Sequence, residues 1–208
     1  MFAKSDVVGL FPSSIWLHEI ADCAVLNADL VRAVQEIRAG DEGHLRDDGG
    51  GWGSPSDLLE REAFAPFAEC VVEAAASALE YMRFKFEHFY ISECWANWND
   101  DGDIHPRHSH PNCFLSGVYY VKAPEGCGDI VFHDPRPQAA VLYPQLTENT
   151  NQNSDRHYVT PFEGMMILFP SWLEHSVTKN TAGADRLSIS FNVMLSGEIG
   201  HQSGRVTL

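Results

Sequence analysis

The chain has 208 residues, 44% hydrophobic and 21% charged, which suits one globular domain with a substantial core. Its formal net charge of −15, with 14 Lys and Arg scattered among 29 Asp and Glu, would repel a phosphate backbone and argues against a nucleic-acid partner. There is no run of about 18 consecutive apolar residues for a membrane span and no secretory signal, and five Cys without a CxxC argue against a disulfide framework or zinc knot, so a reduced cytoplasmic location is expected.

In chain order, the first segment, VVGLFPSSIWLHEI, mixes β-branched and aromatic residues with Pro12 and predicts a short strand at a sheet edge. Asn27 is placed to cap a helix in which Leu30, Val31, Val34 and Ile37 recur at helical spacing, with Gly40 ending it. Residues 40–54 are glycine-rich and acidic, with too few apolar groups for an element of their own, and His44 within them reads as a solvated loop residue. Ser54-Pro55 predicts a helix start, and Pro66 predicts the start of a second helix through Phe67, Cys70, Val71, Ala74, Ala78 and Tyr81, whose small residues allow close packing on a sheet.

From about Phe84 the pattern changes to short extended runs separated by Gly, Pro and Asn turns, among them FLSGVYYVKA, DIVFHD, MMILF and DRLSISFNVML. That alternation predicts a mainly β protein with N-terminal helices, a double-stranded β-helix (jelly roll, cupin-like). The expected organisation is a single domain over 1–208, in which 1–83 supply an edge strand and supporting helices and 84–208 form the jelly-roll core. The tract between Asp134 and Tyr158 reads either as a lid or as surface loop.

The chemistry concentrates in WANWNDDGDIHPRHSHPNCFLSGVYYV, residues 95–121. In an extended strand alternate side chains share a face, so His108 and His110 would present two imidazoles from one edge, whereas His105 would face the other way. His175 lies 65 residues beyond His110, and Arg186-Leu187-Ser188 follows after ten more residues. Three imidazoles suit a divalent transition metal, and a guanidinium beside them suits a carboxylate. Neutral imidazoles should release metal as pH falls through about 6.5.

This spacing resembles the non-haem iron, 2-oxoglutarate-dependent oxygenases, in particular a bacterial and phage branch described only as 2OG-Fe(II) oxygenases. The likeness extends over LFPSSIW, GGWGS, HSHPNCFLSGVYYV, FPSWLEHSV and RLSISFNV. It implies Fe(II) on His108, His110 and His175, with 2-oxoglutarate as co-substrate bound by Arg186, Ser188, Tyr120 and Asn97. It also implies an oxidation, hydroxylation by default, of a small molecule or protein side chain with release of succinate and CO2. The second ligand position, Asp or Glu in the family pattern, is His110 here, so the metal keeps its full charge. A halogenase is disfavoured because His110 fills the position a halide would take. Trp172, beside His175, is the expected wall of the substrate pocket.

Two other readings stand beside it. Gly102 followed by His108-Ser109-His110 looks like the start of a cupin motif, which would make the protein a three-histidine dioxygenase acting without 2-oxoglutarate, although Phe114 and Leu115 stand where the cupin glutamate is expected. A non-catalytic metal- or ligand-binding jelly roll is the third. A homodimer is left open as the assembly.

Overall fold

The computed structural model describes every residue except 41, 47–49, 137, 139–140, 143 and 201–202. The chain begins with strand β1 (Trp16–Glu19) and helix α1 (Ala24–Ala39), followed by the two-residue strands β2 (His44–Leu45) and β3 (Trp52–Gly53). Two 3-10 turns, Leu58–Glu60 and Glu62–Phe64, lead into helix α2 (Ala65–Met82). Strands β4 (His88–Asn99), β5 (His105–His108), β6 (Leu115–Lys122), β7 (Ile130–His133), β8 (Arg156–Val159), β9 (Met165–Pro170), β10 (His175–Val177) and β11 (Arg186–Ser196) follow, with a small terminal pair, β12 (Glu198–Ile199) and β13 (Val206–Thr207).

The larger sheet runs β1-β9-β6-β11-β4-β3-β2 and the smaller runs β5-β10-β7-β8, all their neighbours being antiparallel. From β4 to β11 the chain passes repeatedly between the two sheets, which is the double-stranded β-helix. Among the described residues β1 pairs only with β9 and lies at the sheet edge, as its proline-interrupted sequence predicts, although the strand begins only after Pro12.

Period-two alternation divides the work of the larger sheet. On β11, Leu187, Ile189, Phe191 and Val193 are fully buried with Leu30, Val34, Phe67, Val71 and Ala75 of the helices, in the core that covers the sheet's outer face. Each such side chain contributes roughly 1.5–3 kcal/mol by leaving water. Gly117 on β6 lets the Phe191 ring lie across its backbone, where a Cβ would overlap the ring. The other face of β11 carries Arg186, Ser188, Ser190 and Asn192, which point between the sheets. There a second cluster, Val118, Tyr120, Ile130, Phe132, Ile167 and Phe169, packs under the smaller sheet.

Three local expectations are corrected. Asn27 does not cap α1: the helix starts at Ala24 after Cys23, without a side-chain cap, and Asn27 is buried with its amide oxygen accepting from the Tyr119 hydroxyl at 2.6 Å. Burial of a tyrosine hydroxyl requires a partner, and that need outweighs the capping preference. Ser54-Pro55 starts no helix. The Ser54 hydroxyl instead accepts the Ala96 N–H at 2.8 Å and so joins this segment to β4, while α2 begins at Ala65 with Pro66 in its first turn. The stretch expected to hold no element does contain two: β2 and β3 extend the larger sheet next to β4, anchored by the buried Trp52 opposite Trp98.

Candidate metal centre and cavity

His108 is the last residue of β5 and His175 the first of β10, and the two are directly paired across the antiparallel ladder. Their ring centroids lie 4.4 Å apart. His110 is not on the strand with His108, as alternation suggested. β5 stops at His108, and His110 stands in the irregular segment beyond it, fixed by its N–H to the Ser171 carbonyl at 2.9 Å. Its ring is parallel to that of His175, with centroids 5.2 Å apart. One ring nitrogen from each of the three residues lies within 4.8 Å of the others.

The tautomers follow from the neighbours. His108 Nδ1 meets the Pro106 carbonyl at 2.8 Å and His175 Nδ1 meets the Leu173 carbonyl at 3.0 Å. A carbonyl can only accept, so both Nδ1 atoms carry the proton and both Nε2 lone pairs remain for a metal. Burial, with the neighbouring His108 and the Arg46 guanidinium, lowers the His110 imidazole from 6.5 to about 4. Burial and His108 lower His175 to about 3, partly opposed by the Leu173 carbonyl. Both rings are therefore neutral donors well below neutral pH, and their proton competition with a metal lies near pH 4 and 3 rather than at the ordinary imidazole value. Three converging imidazoles, two of them with the Nε2 lone pair oriented by a backbone carbonyl, fit Fe(II).

His105 is not among the three, but it does not point away either. β5 is short and its register against β10 slips, so the His105 ring lies 5.8 Å from His108 and lines the same cavity. His44 is exposed on β2. Trp172, expected as a pocket wall, is 57% exposed and does not line the cavity, because the turn after β9 directs it to solvent while Leu173 is buried. Phe169 occupies the wall instead, 4.6 Å from His175.

The cavity, about 140 Å³, runs from the imidazoles along the inner face of the larger sheet. Register places its polar residues in cross-strand rows. Asn99 is opposite Arg186, Asn97 and Tyr120 flank Ser188, and Trp95 and Val118 flank Ser190. The four residues expected around 2-oxoglutarate, Asn97, Tyr120, Arg186 and Ser188, thus share one face and all line the cavity. Arg186 is 2% exposed; Nη1 donates to the Cys127 carbonyl at 3.0 Å and Nη2 to Asn99 Oδ1 at 2.9 Å, while its buried Nε has no protein partner. A buried guanidinium with an unspent donor fits a carboxylate. Burial, opposed by the Arg186 charge, raises the Tyr120 phenol well above its ordinary value, so it remains a hydrogen-bond donor.

Asn99 and Arg46 escaped the sequence reading. Asn99 is fully buried, its Nδ2 donating to the Gly50 carbonyl while Oδ1 receives Arg186. The period-two step from Asn97 could have found it. Arg46 lies just beyond β2 and lines the cavity, its Nη1 3.4 Å from Asn97 Oδ1. Its acidic, glycine-rich surroundings gave no signal for this. None of the described residues of 134–158 lines the cavity.

Residues 93–192 match a family model described as "Putative 2OG-Fe(II) oxygenase". This segment, a little under half of the chain, is thus similar to the 2OG-Fe(II) oxygenases, an enzyme class that uses Fe(II) and 2-oxoglutarate. No curated protein matches the sequence. Among solved structures, a Pseudomonas putida prolyl-4-hydroxylase is similar at 18% identity and a TM-score of 0.62, over 89% of this chain and 94% of that one. The non-heme alpha ketoglutarate dependent carbocyclase SnoK from nogalamycin biosynthesis is similar at 10% identity and a TM-score of 0.66, over 92% and 85%. HygX from Streptomyces hygroscopicus, solved with nickel and 2-oxoglutarate, is similar at 11% identity and a TM-score of 0.62, over 94% and 92%. At these identities the likeness is one of fold.

Proposed function

We propose that His108, His110 and His175 hold the Fe(II), that Arg186 binds the far carboxylate of 2-oxoglutarate, and that the enzyme hydroxylates a small molecule or an exposed side chain. Ser188 and Tyr120 add hydrogen bonds to the co-substrate, and Asn97 contacts it from the neighbouring strand. The observation that supports this most is the buried Nε of Arg186, a charged donor without a partner in the same cavity as the three imidazoles. When bound, iron and 2-oxoglutarate together supply the oxidising chemistry, with succinate and CO2 as the co-substrate's products.

The chain's own residues provide the rest. The Pro106 and Leu173 carbonyls keep two imidazoles in the metal-binding tautomer. Val118, Ile130 and Phe169 close one side of the cavity with apolar surface, which keeps water out and strengthens the charged contacts within it. We further propose that residues 1–208 act as one domain in the cytoplasm, as a monomer or a homodimer and without a nucleic-acid partner. No helix among the described residues is long and apolar enough to cross a membrane.

Anaerobic titration tests this reading. Wild-type protein should develop a visible charge-transfer band only with Fe(II) and 2-oxoglutarate both present, and oxygen uptake should yield succinate. An all-imidazole donor set is also that of dioxygenases that bind their organic substrate directly, so oxygen consumption without succinate would favour that second reading. An equally tight ternary complex in Arg186→Ala would defeat the co-substrate assignment.

A further inference from the structure

Of the three converging imidazoles, that of His110 stands outside a strand, so no sheet ladder fixes it. Ser171 does so instead. Its carbonyl accepts the His110 N–H at 2.9 Å and its N–H donates to the Phe114 carbonyl at 3.2 Å, so one residue closes the 110–114 turn at both ends. The Phe114 N–H donates in turn to the Val193 carbonyl at 2.9 Å and fastens that turn to β11. Ser171 also belongs to the turn after β9, where the Leu173 N–H donates to the Pro170 carbonyl at 2.9 Å and the Leu173 carbonyl orients His175. Two of the three imidazoles therefore depend on where Ser171 sits.

Ser171 is itself held by a cross-strand row one step beyond the cavity. Asn192 on β11 is opposite Glu93 on β4 and Ser116 on β6. Asn192, Ser116 and Ser171 are buried, while Glu93 lies at the exposed end of the row, and none of the four lines the cavity. The direction of every bond follows from chemistry. A carboxylate only accepts, so the Asn192 amide nitrogen faces Glu93 Oε2 at 2.9 Å and its Oδ1 is left to accept the Ser116 O–H at 2.8 Å. That spends the one proton of Ser116, so at the 2.8 Å contact between the two hydroxyls Ser171 is the donor. All three donors point towards the Glu93 charge, an arrangement in which each bond polarises the next.

We propose that Glu93, Asn192, Ser116 and Ser171 form a positioning relay, anchored on the Glu93 carboxylate, that fixes the His110 backbone and so aims its ring at the point where His108 and His175 converge. Satisfying a buried asparagine would need no more than its immediate neighbours. Here the row continues through two hydroxyls and ends on the residue that brackets a ligand turn. The proposal rests on the three-histidine metal site for its effect on metal binding, and on hydrogen bonds within the chain for the relay itself.

Amide hydrogen exchange and cobalt binding test it together. In metal-free protein the His110 N–H should exchange about fivefold faster in Glu93→Ala than in the wild type, while Glu93→Gln, whose side-chain oxygen can still accept from Asn192, should stay near the wild type. Co(II) affinity, measured by chelator competition, should fall about tenfold in Glu93→Ala, Asn192→Ala and Ser171→Ala, with altered visible ligand-field bands. Because these substitutions break one relay, the double variant Glu93→Ala/Ser171→Ala should bind Co(II) no more weakly than the weaker single variant. Glu93 is exposed, so its two variants decide the matter even where a buried substitution prevents folding. Unchanged His110 exchange and Co(II) affinity in Glu93→Ala, an equal loss in Glu93→Gln, or losses that simply add in the double variant overturns the relay. Lower urea stability of Asn192→Ala with affinity and bands unchanged would make the row core packing alone and overturns it too. Failure of the wild type to bind one Co(II) would instead defeat the three-histidine site, while exchange at His110 still reports on the relay.

Discussion

Asn99 and Arg186 are opposite each other on β4 and β11, and the amide oxygen of the first receives Nη2 of the second at 2.9 Å where neither side chain is exposed to any extent. The asparagine thereby decides which edge of the guanidinium faces the cavity. Truncation to Asn99→Ala should weaken 2-oxoglutarate binding by about tenfold, equivalent to about 1.4 kcal/mol, through a misdirected arginine. Arg186→Ala should cost about a hundredfold or more by removing the charge-assisted contact. Anaerobic titration of the charge-transfer band measures both.

The imidazoles give a pH prediction with a definite sign. His110 and His175 are held near 4 and 3 in the folded chain, against an ordinary value of 6.5. Below that ordinary value the unfolded chain takes up protons that the folded one refuses, so the metal-free protein loses stability as pH falls from 6.5 towards 4. The loss is up to about 1.4 kcal/mol per pH unit for each group. Urea denaturation of chelator-treated protein at pH 7 and pH 5 should show it, and His110→Gln should flatten the slope.

Metal affinity should respond to the same acidification far less. A site losing three protons on metal binding changes its apparent affinity by about a thousandfold per pH unit. With two of the rings already neutral in the folded protein, the change between pH 6.5 and 5 should stay well below that slope. Competition with a chromogenic chelator across this range checks it.

Gly117 and Trp172 make contrasting mutational predictions. Gly117→Ala places a methyl group into the Phe191 ring within the helix-covered core and should destabilise by about 1–3 kcal/mol. Trp172→Ala removes an exposed side chain outside the cavity and should change stability by less than about 0.5 kcal/mol, with no effect on the charge-transfer band. Urea midpoints compare the two.

The sequence was most informative where a short period and a strong chemical preference coincide. Alternation in SGVYYV and RLSISFNV placed Tyr120, Arg186 and Ser188 on one face, and the β-helix followed from the number of short strands. His110 was found by residue type but with the wrong local geometry, because the end of β5 is set by its pairing with β10, a contact across 67 residues from His108 to His175 that local pattern cannot show. Asn27 was misread for a related reason: its buried partner, Tyr119, is 92 residues away. The segment around Arg46 looked structureless since two-residue strands carry almost no periodic signal.

The two-sided character of β11 sets how this protein can change. Its outward row is shared with both helices, so a swap there disturbs the scaffold, and inserting or deleting one residue would exchange the two rows and ruin both at once. On the inward row Ser190 lines the chamber and accepts from the Asn97 amide, while the buried Asn192 is bonded to Ser116 and Glu93. New selectivity can therefore be introduced at Ser190 with the helix-bearing side left intact, and a directed library confined to that position should retain folded protein at a much higher frequency than libraries on the opposite row.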